Sequence, residues 1–182
     1  MAHTNLWSSE NHALGYLAIA DTIPHRTEAE KVLLELVPKT ARNILDLGAG
    51  HERLLSLLKI DRPEVESVAV DFSATMLEAA KKRFAGDAKT SIIAHNVDDP
   101  LLNIVEGRFD AVVSSKAIHH LTHPRKRSIY AEIFDLLNDG GVFCNLENVS
   151  SPTPAIHAYF RKAIGIEDKP LYPSNKLLDV ET

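Results

Sequence analysis

Residues 43–50 read Asn-Ile-Leu-Asp-Leu-Gly-Ala-Gly, and 21 residues beyond Gly50 a second apolar run ends in Asp71. An apolar strand that carries an acid, Asp46, and breaks into Gly48-x-Gly50 brings bare backbone N–H groups close to a ligand. A second strand ending in a carboxylate suits a ribose diol, because an ionised Asp only accepts hydrogen bonds. Together the two features point to an adenosine-type cofactor. Taken singly they have plainer readings, as turn glycines and a strand-end cap. Other residues able to do chemistry also follow short apolar runs: His95 to Asp98, then Ser114, Ser115, Lys116, His119 and His120, and finally Glu147 and Asn148. The group His119, His120 and His123 invites a zinc reading. Zinc needs further ligands in matching geometry, and Pro124 interrupts the segment, so no metal site is expected.

The elements that must carry these residues alternate between strand and helix patterns. Residues 10–20 read as a short helix weakened by Gly15. Thr27 to Glu30 reads as a capping box, ahead of a helix with Val32, Leu33, Leu36 and Val37 that stops near Pro38. Strands are expected at Asn43–Leu47, Ser67–Asp71, Thr90–His95, Phe109–Ser114 and Val142–Leu146. Between them run helices whose buried stripes are Leu54, Leu55, Leu57 and Leu58, then Met76, Leu77, Ala80 and Phe84 behind an N-cap at Ser73, then Ile129, Tyr130, Ile133, Phe134, Leu136 and Leu137. Asn138 to Gly141 supplies a turn. Phe84, Phe109, Phe134 and Phe143 read as core, and the basic run Arg125 to Arg127 as a solvated helix start. Short strands that are apolar on both faces, alternating with helices, give an α/β fold with a doubly wound, mostly parallel sheet. Ligands on such sheets sit at the carboxyl ends of the strands, where all the residues named above fall.

Composition bounds the function. A chain of 182 residues is one domain on the usual prior, and 45% hydrophobic with 25% charged residues is ordinary for a globular protein. The single cysteine, Cys144, cannot form an internal disulfide, which fits a reducing cytoplasm. No apolar run is long enough for a membrane span, and the start Met-Ala-His-Thr-Asn lacks the pattern of a signal peptide. A net charge of −5 disfavours nucleic acid as the main partner.

The order and spacing of the motifs over residues 10–160 resemble the class I S-adenosylmethionine-dependent methyltransferases. Asp46-Leu-Gly-Ala-Gly50 is similar to their first motif, and Val68-Ala-Val-Asp-Phe-Ser73 with Met76-Leu77 to the second. Phe109 to Ser115 followed by Ala-Ile-His-His-Leu is similar to the fourth, and Asn138-Asp-Gly-Gly-Val-Phe143 to the turn into strand five. The resemblance implies S-adenosyl-L-methionine as cofactor and a small-molecule acceptor. It places Gly48 and Gly50 against the methionine and ribose, Asp46 near the amino group, Asp71 on the ribose hydroxyls, and Phe72 and Met76 around the adenine. Asn96 and the Val97 N–H fall on the adenine edge, and Ser114 also falls at the cofactor. Arg26 or Tyr16 is the expected partner of the carboxylate. His119 is the expected base near the transferred methyl, with His120 as its alternative and the other structural. Residues 1–30 read as a helical lid and 151–182 as a variable segment, in which Tyr159, Phe160 and Tyr172 are candidate acceptor-pocket residues, though helix packing on the sheet is the favoured role.

The chain departs from the family pattern at His51-Glu52-Arg53, where a small or glycine-containing stretch is usual, and at Lys116, where an apolar or aromatic residue is common. It also lacks the family's C-terminal antiparallel strand pair, so a shortened member with an open sheet edge is expected, prone to self-association or lowered stability. Two other functions compete. An NAD-type dehydrogenase would want a third glycine at position 53, where Arg53 stands. A non-catalytic binding protein of the same fold would bind cofactor without turnover, or not at all.

Overall fold

The computed structural model describes residues 6–168 apart from 24, 103, 148 and 150. Five strands form one sheet: β1 (Asn43–Leu47), β2 (Glu66–Asp71), β3 (Thr90–Ala94), β4 (Phe109–Ser115) and β5 (Leu137–Leu146). Their order is β3-β2-β1-β4-β5, and all four pairings are parallel. The chain first winds from β1 outward through β2 to β3, then returns to the other side of β1 with β4. The crevice between the carboxyl ends of β1 and β4 is therefore the topological switch point, where open parallel sheets bind ligands.

The helices are α1 (Glu10–Ile19), α2 (Arg26–Leu36), α3 (Arg53–Asp61), α4 (Ala74–Arg83), α5 (His123–Leu136) and α6 (Pro154–Ala163). Alternate strand residues feed two cores, as the two-residue strand period requires. Ile44, Ala69, Ala111 and Val113 pack with Leu33 of α2 and Leu54, Leu55 and Leu58 of α3. Leu45, Leu47, Val70 and Val112 pack on the opposite face with Ile129 and Ile133 of α5. Each fully buried aliphatic side chain contributes about 1.5–3 kcal/mol.

Several expectations are corrected. Thr27 does not cap α2: the helix starts at Arg26 behind a left-handed His25, with no side-chain cap bond. Glu30 instead accepts from the guanidinium groups of Arg26 and Arg53, charge-assisted bonds stronger than a neutral backbone contact. Ser73 occupies the N-cap of α4, but the orphan Ser73 N–H is taken by Asp71 Oδ1 at 2.8 Å. Pro124 opens α5 rather than interrupting it, behind a Thr122 cap. Phe134 is 77% exposed and lies outside the core. The strand after α5 begins at Leu137, earlier than the Asn138 to Gly141 turn suggests, and its register against β4 shifts between Phe109 and Ala111. No residue of α6 is buried, and Tyr159 and Phe160 are exposed, so neither expected role holds for them. Tyr172 and the end of the chain lie outside the described residues.

Two residues of the basic run, Arg125 and Lys126, are structural rather than solvated, while Arg127 is exposed as expected. Arg125 donates to the Val97 and Asp99 carbonyls, both at 2.8 Å, and to the Glu132 carboxylate. Glu132 also accepts from the Leu101 N–H. These bonds fasten residues 97–101, the loop after β3, to α5. Lys126 is 1% exposed. Among the described residues no helix is long and apolar enough to cross a membrane.

Candidate active site

A cleft of about 920 Å³, its mouth included, opens at the carboxyl ends of β1, β2 and β4. Its floor is the loop after β1. Gly48 and Gly50 adopt φ +67° and +58°, a region a Cβ disfavours. The Gly48 and Ala49 N–H groups both donate to the Val70 carbonyl, which pins the loop across β2. Asp71 holds it from the other side: Oδ2 accepts from the Gly50 N–H at 2.9 Å while Oδ1 accepts from Ser73. At Gly48 a Cβ would lie 2.2 Å from the Ala117 Cβ, so glycine permits the loop after β4 to close against the loop after β1.

Asp46 lines this cleft yet is 1% exposed, and its Oδ2 has no hydrogen-bond partner. Burial, then the Asp71 charge, raises its pKa to about 8. Glu52 repeats the pattern at the start of α3. It is 1% exposed, its Oε2 is unpartnered, and burial followed by Asp46 and Asp71 raises it to about 9. Its backbone is left-handed at φ +65°, a strained setting for a residue other than glycine. Asp71 is also raised, chiefly by burial, against three backbone N–H groups that lower it.

The sign for stability follows. In the native state Asp46 and Glu52 keep protons that the unfolded chain loses above about pH 4. Their contribution is fully present below that pH and is lost as the pH rises toward their native values. The thermal midpoint should fall between pH 5.5 and 8.5, and the fall should be shallower in Glu52→Gln, by up to about 1.4 kcal/mol per pH unit. Melting curves of the two proteins across that range are the check; parallel slopes would refute it.

The N-terminal segment forms one wall. Arg26 Nη1 donates to the Tyr16 hydroxyl at 3.1 Å and to the Ala20 carbonyl at 3.0 Å, while Nε binds Glu30 at 2.7 Å. Arg53 donates to the same Glu30 and to Asp21. Trp7 donates its indole N–H to His120 Nε2 at 3.2 Å and meets the Tyr16 ring edge-on.

Of the residues singled out in the sequence, Asp46, Gly48, Gly50, Asp71, Phe72, Met76, Asn96, Val97, Arg26 and Tyr16 all line the cleft. Asn96 Oδ1 also accepts from the Asp98 N–H, closing a local turn. Two residues do not face the cleft. Ser114 is fully buried and donates to the Leu47 carbonyl at 2.8 Å, tying β4 to β1. Its neighbour Ser115, on the other side of the pleat, lines the cleft, and its buried Oγ lacks a partner. His119 is 4% exposed, with Nδ1 2.5 Å from Glu147 Oε2 and its N–H on Oε1. His120 takes the cleft-lining position, its ring 3.9 Å from that of His119. Trp7 is a cleft-lining residue that the sequence reading passes over; Ser115 is named there only among the strand-end residues, and Glu52, buried beside Asp46, only as a departure from the family pattern. For Glu52 a signal existed, an acid where a small residue is usual.

A family model described as a methyltransferase domain matches residues 44–141. A demethylmenaquinone methyltransferase of Clavibacter sepedonicus is 31% identical over 121 residues, 66% of this chain and 47% of that one. The chain spans about half the length of the curated relatives it matches. An O-methyltransferase family protein from Burkholderia thailandensis superposes with a TM-score of 0.72 at 20% identity, over 96% of this chain and 53% of that one, a likeness of fold. A glycopeptide N-methyltransferase solved with S-adenosyl-L-methionine superposes at 0.54 with 26% identity, over 69% and 55%. The family match covers the two glycines, Asp46, Asp71 and the whole β1 to β4 crevice, and the chain accordingly belongs to the class I S-adenosylmethionine-dependent methyltransferases.

Proposed function

We propose that the chain binds S-adenosylmethionine in this cleft and directs methyl transfer to a small-molecule acceptor. The observation that carries the reading is the Asp46 carboxyl, buried and unpartnered on Oδ2, on the floor of a glycine-lined cleft. A buried carboxyl without a partner is costly unless it stays neutral or meets a cation, and the cofactor's ammonium is such a cation. When bound, the cofactor supplies an electrophilic methyl on a sulfonium, which leaves as a thioether as the acceptor bond forms.

Each remaining part has a donor or acceptor in reach of the cleft. Beyond its bonds to the Gly50 and Ser73 N–H groups, the Asp71 carboxylate keeps acceptor capacity for the ribose hydroxyls. Phe72 and Met76 flank the adenine, and Asn96 and Val97 meet its edge. Arg26 or Tyr16 receives the carboxylate, and Ser115 rather than Ser114 supplies a hydroxyl. His120 is the group that takes a proton from the acceptor. An indole N–H only donates, so His120 Nε2 is the accepting nitrogen of that bond, and the same nitrogen takes the proton of an acceptor seated in place of the indole. His119 is the positioning residue beneath it, held by Glu147. Residues 6–26 act as a lid, closing through Trp7, Tyr16 and Arg26. Much of the acceleration comes from holding the nucleophile about 3 Å from the methyl and in line. A cytoplasmic setting suits this chemistry.

Calorimetric titration with S-adenosylmethionine, S-adenosylhomocysteine and NAD in parallel tests the reading. Micromolar binding of the first two alone is expected. Absence of all binding would leave the non-catalytic reading in its place.

A further inference from the structure

Two arginines on the cleft wall share one buried acid. Arg26 and Glu30 stand four residues apart on α2, so their side chains meet on one face of the helix. Arg53 opens α3 and reaches the same carboxylate. Glu30 Oε1 accepts from Arg26 Nε at 2.7 Å and from Arg53 Nε at 3.0 Å, and Oε2 accepts from Arg53 Nε as well. A guanidinium carries five N–H donors in a fixed fork. Arg26 spends Nε on Glu30 and Nη1 on the Tyr16 hydroxyl and the Ala20 carbonyl. Arg53 spends Nε on Glu30 and Nη1 on Asp21. Among the described residues neither Nη2 has a partner, and neither is sealed in the interior. Both arginines line the cleft.

The charges leave room for an anion. The side chains of Arg26 and Glu30 are 9% and 2% exposed, whereas Asp21 is 77% exposed and screened by water. The sheltered part of the cluster is therefore two guanidinium groups on one carboxylate. His51 lines the same cleft and is pushed down to about 4, by burial first, then by Arg83 and by Arg26, against the pull of Asp21. Position indicates the source of the anion. Asp46 precedes the Gly48–Gly50 loop and Arg53 follows it, so the arginines border the end of the cleft assigned to the cofactor's ammonium. An α-amino acid carries its ammonium and carboxylate on one carbon, so their receptors must be neighbours. The Tyr16 oxygen already accepts from Arg26 and so orients that fork.

We propose that Arg26 and Arg53 together receive the carboxylate of the cofactor's amino-acid end, with Glu30 as the positioning residue that holds both guanidinium groups at the cleft. This deepens the methyltransferase reading and rests on it. It adds Arg53 to the binding residues and makes the site selective for a cofactor whose amino acid is intact. A decarboxylated cofactor keeps its ammonium for Asp46 and loses the clamp.

Calorimetry with S-adenosylhomocysteine and with decarboxylated S-adenosylhomocysteine tests the clamp, because the two ligands differ by the carboxylate alone. The wild-type chain should bind the decarboxylated form about thirtyfold less tightly or worse, as expected for charge-assisted bonds from two forks. In Arg53→Gln that ratio should fall at least about threefold, through lost S-adenosylhomocysteine affinity, with the decarboxylated form bound as before. Arg53→Lys, which keeps the charge without the fork, should fall between the two. Glu30→Gln should also lower the ratio, whereas a merely structural Glu30 would weaken both ligands equally. Should Glu30→Gln fail to fold, Arg53→Gln decides, since Glu30 there keeps Arg26 as its partner. Equal affinity of the wild-type chain for the two ligands, or a ratio unchanged in Arg53→Gln, would overturn the clamp while leaving the cofactor reading intact. Failure of the wild-type chain to bind either ligand would overturn the cofactor reading and the clamp with it.

Discussion

Gly48→Ala should destabilise the protein by about 3 kcal/mol or more, the sum of a left-handed backbone penalty and an overpacking term. The added Cβ would stand 2.2 Å from the Ala117 Cβ, far inside contact distance, and the backbone there is at φ +67°. Neither neighbour can swing aside. Gly48 is pinned through its N–H to Val70, and Ala117 is flanked by the strained Lys116 and the buried Ile118. The loops after β1 and β4 must therefore separate, which opens the crevice. For a chain of this size the thermal midpoint should drop by about 6–12 °C. Gly50→Ala is the control. Its φ is also positive, but open space surrounds the added Cβ, so its stability cost should be about 1 kcal/mol. That open space faces the cleft, so Gly50→Ala should lower S-adenosylhomocysteine affinity tenfold or more while the fold survives. The double variant Gly48→Ala/Ala117→Gly should recover the overpacking part alone, giving a measurable coupling energy between the two positions. A Gly48→Ala protein as stable as Gly50→Ala would mean that the two loops do not need their close approach.

The parts of this site that could be read from the sequence are those a local pattern determines. Asn43–Leu47 matches β1 to the residue, because an apolar strand ending in Gly-x-Gly has sharp boundaries. The strand ends then collect at one crevice because every crossover is parallel. Ser114 and His119 show where such reading stops. Each lies one residue from the side chain that faces the cleft; for Ser114, in β4, one residue is the difference between faces, and His119 lies in the tight turn Ile118–His120. Both Ser114 and Ser115 fit the same apolar run, and only the register against β1 puts Ser114 on the Leu47 carbonyl. The two adjacent imidazoles are sorted by Glu147, 28 residues from His119 and invisible to local spacing. Trp7 reaches His120 across 113 residues. Arg125 looked like a surface charge because its partners, the Val97 and Asp99 carbonyls, are backbone atoms that no sequence pattern marks.

Asp71→Ala should weaken S-adenosylhomocysteine binding by about 1–3 kcal/mol, about a fivefold to more than hundredfold loss. Asp71 clamps the loop and, in the proposed reading, also accepts the ribose hydroxyls; the experiment can separate the two jobs. Oδ2 on the Gly50 N–H and Oδ1 on the Ser73 N–H clamp the cofactor loop to the start of α4, and removing both acceptors leaves two donors to find water. That loss should appear as reduced stability of the empty protein. The second job, accepting ribose hydroxyls, should appear only in binding. Comparing S-adenosylhomocysteine with its 2′-deoxy form makes the distinction. In the wild-type chain the missing hydroxyl should cost affinity, and in Asp71→Ala that difference should vanish. Asp71→Asn sharpens the result, since the amide offers one acceptor and turns its NH2 toward the other backbone donor, so one clamp bond is retained. If the 2′-deoxy penalty persisted in Asp71→Ala, Asp71 would be a loop clamp alone. The ribose would then need another acceptor, and the β2 end would no longer be the point where the cleft recognises its cofactor.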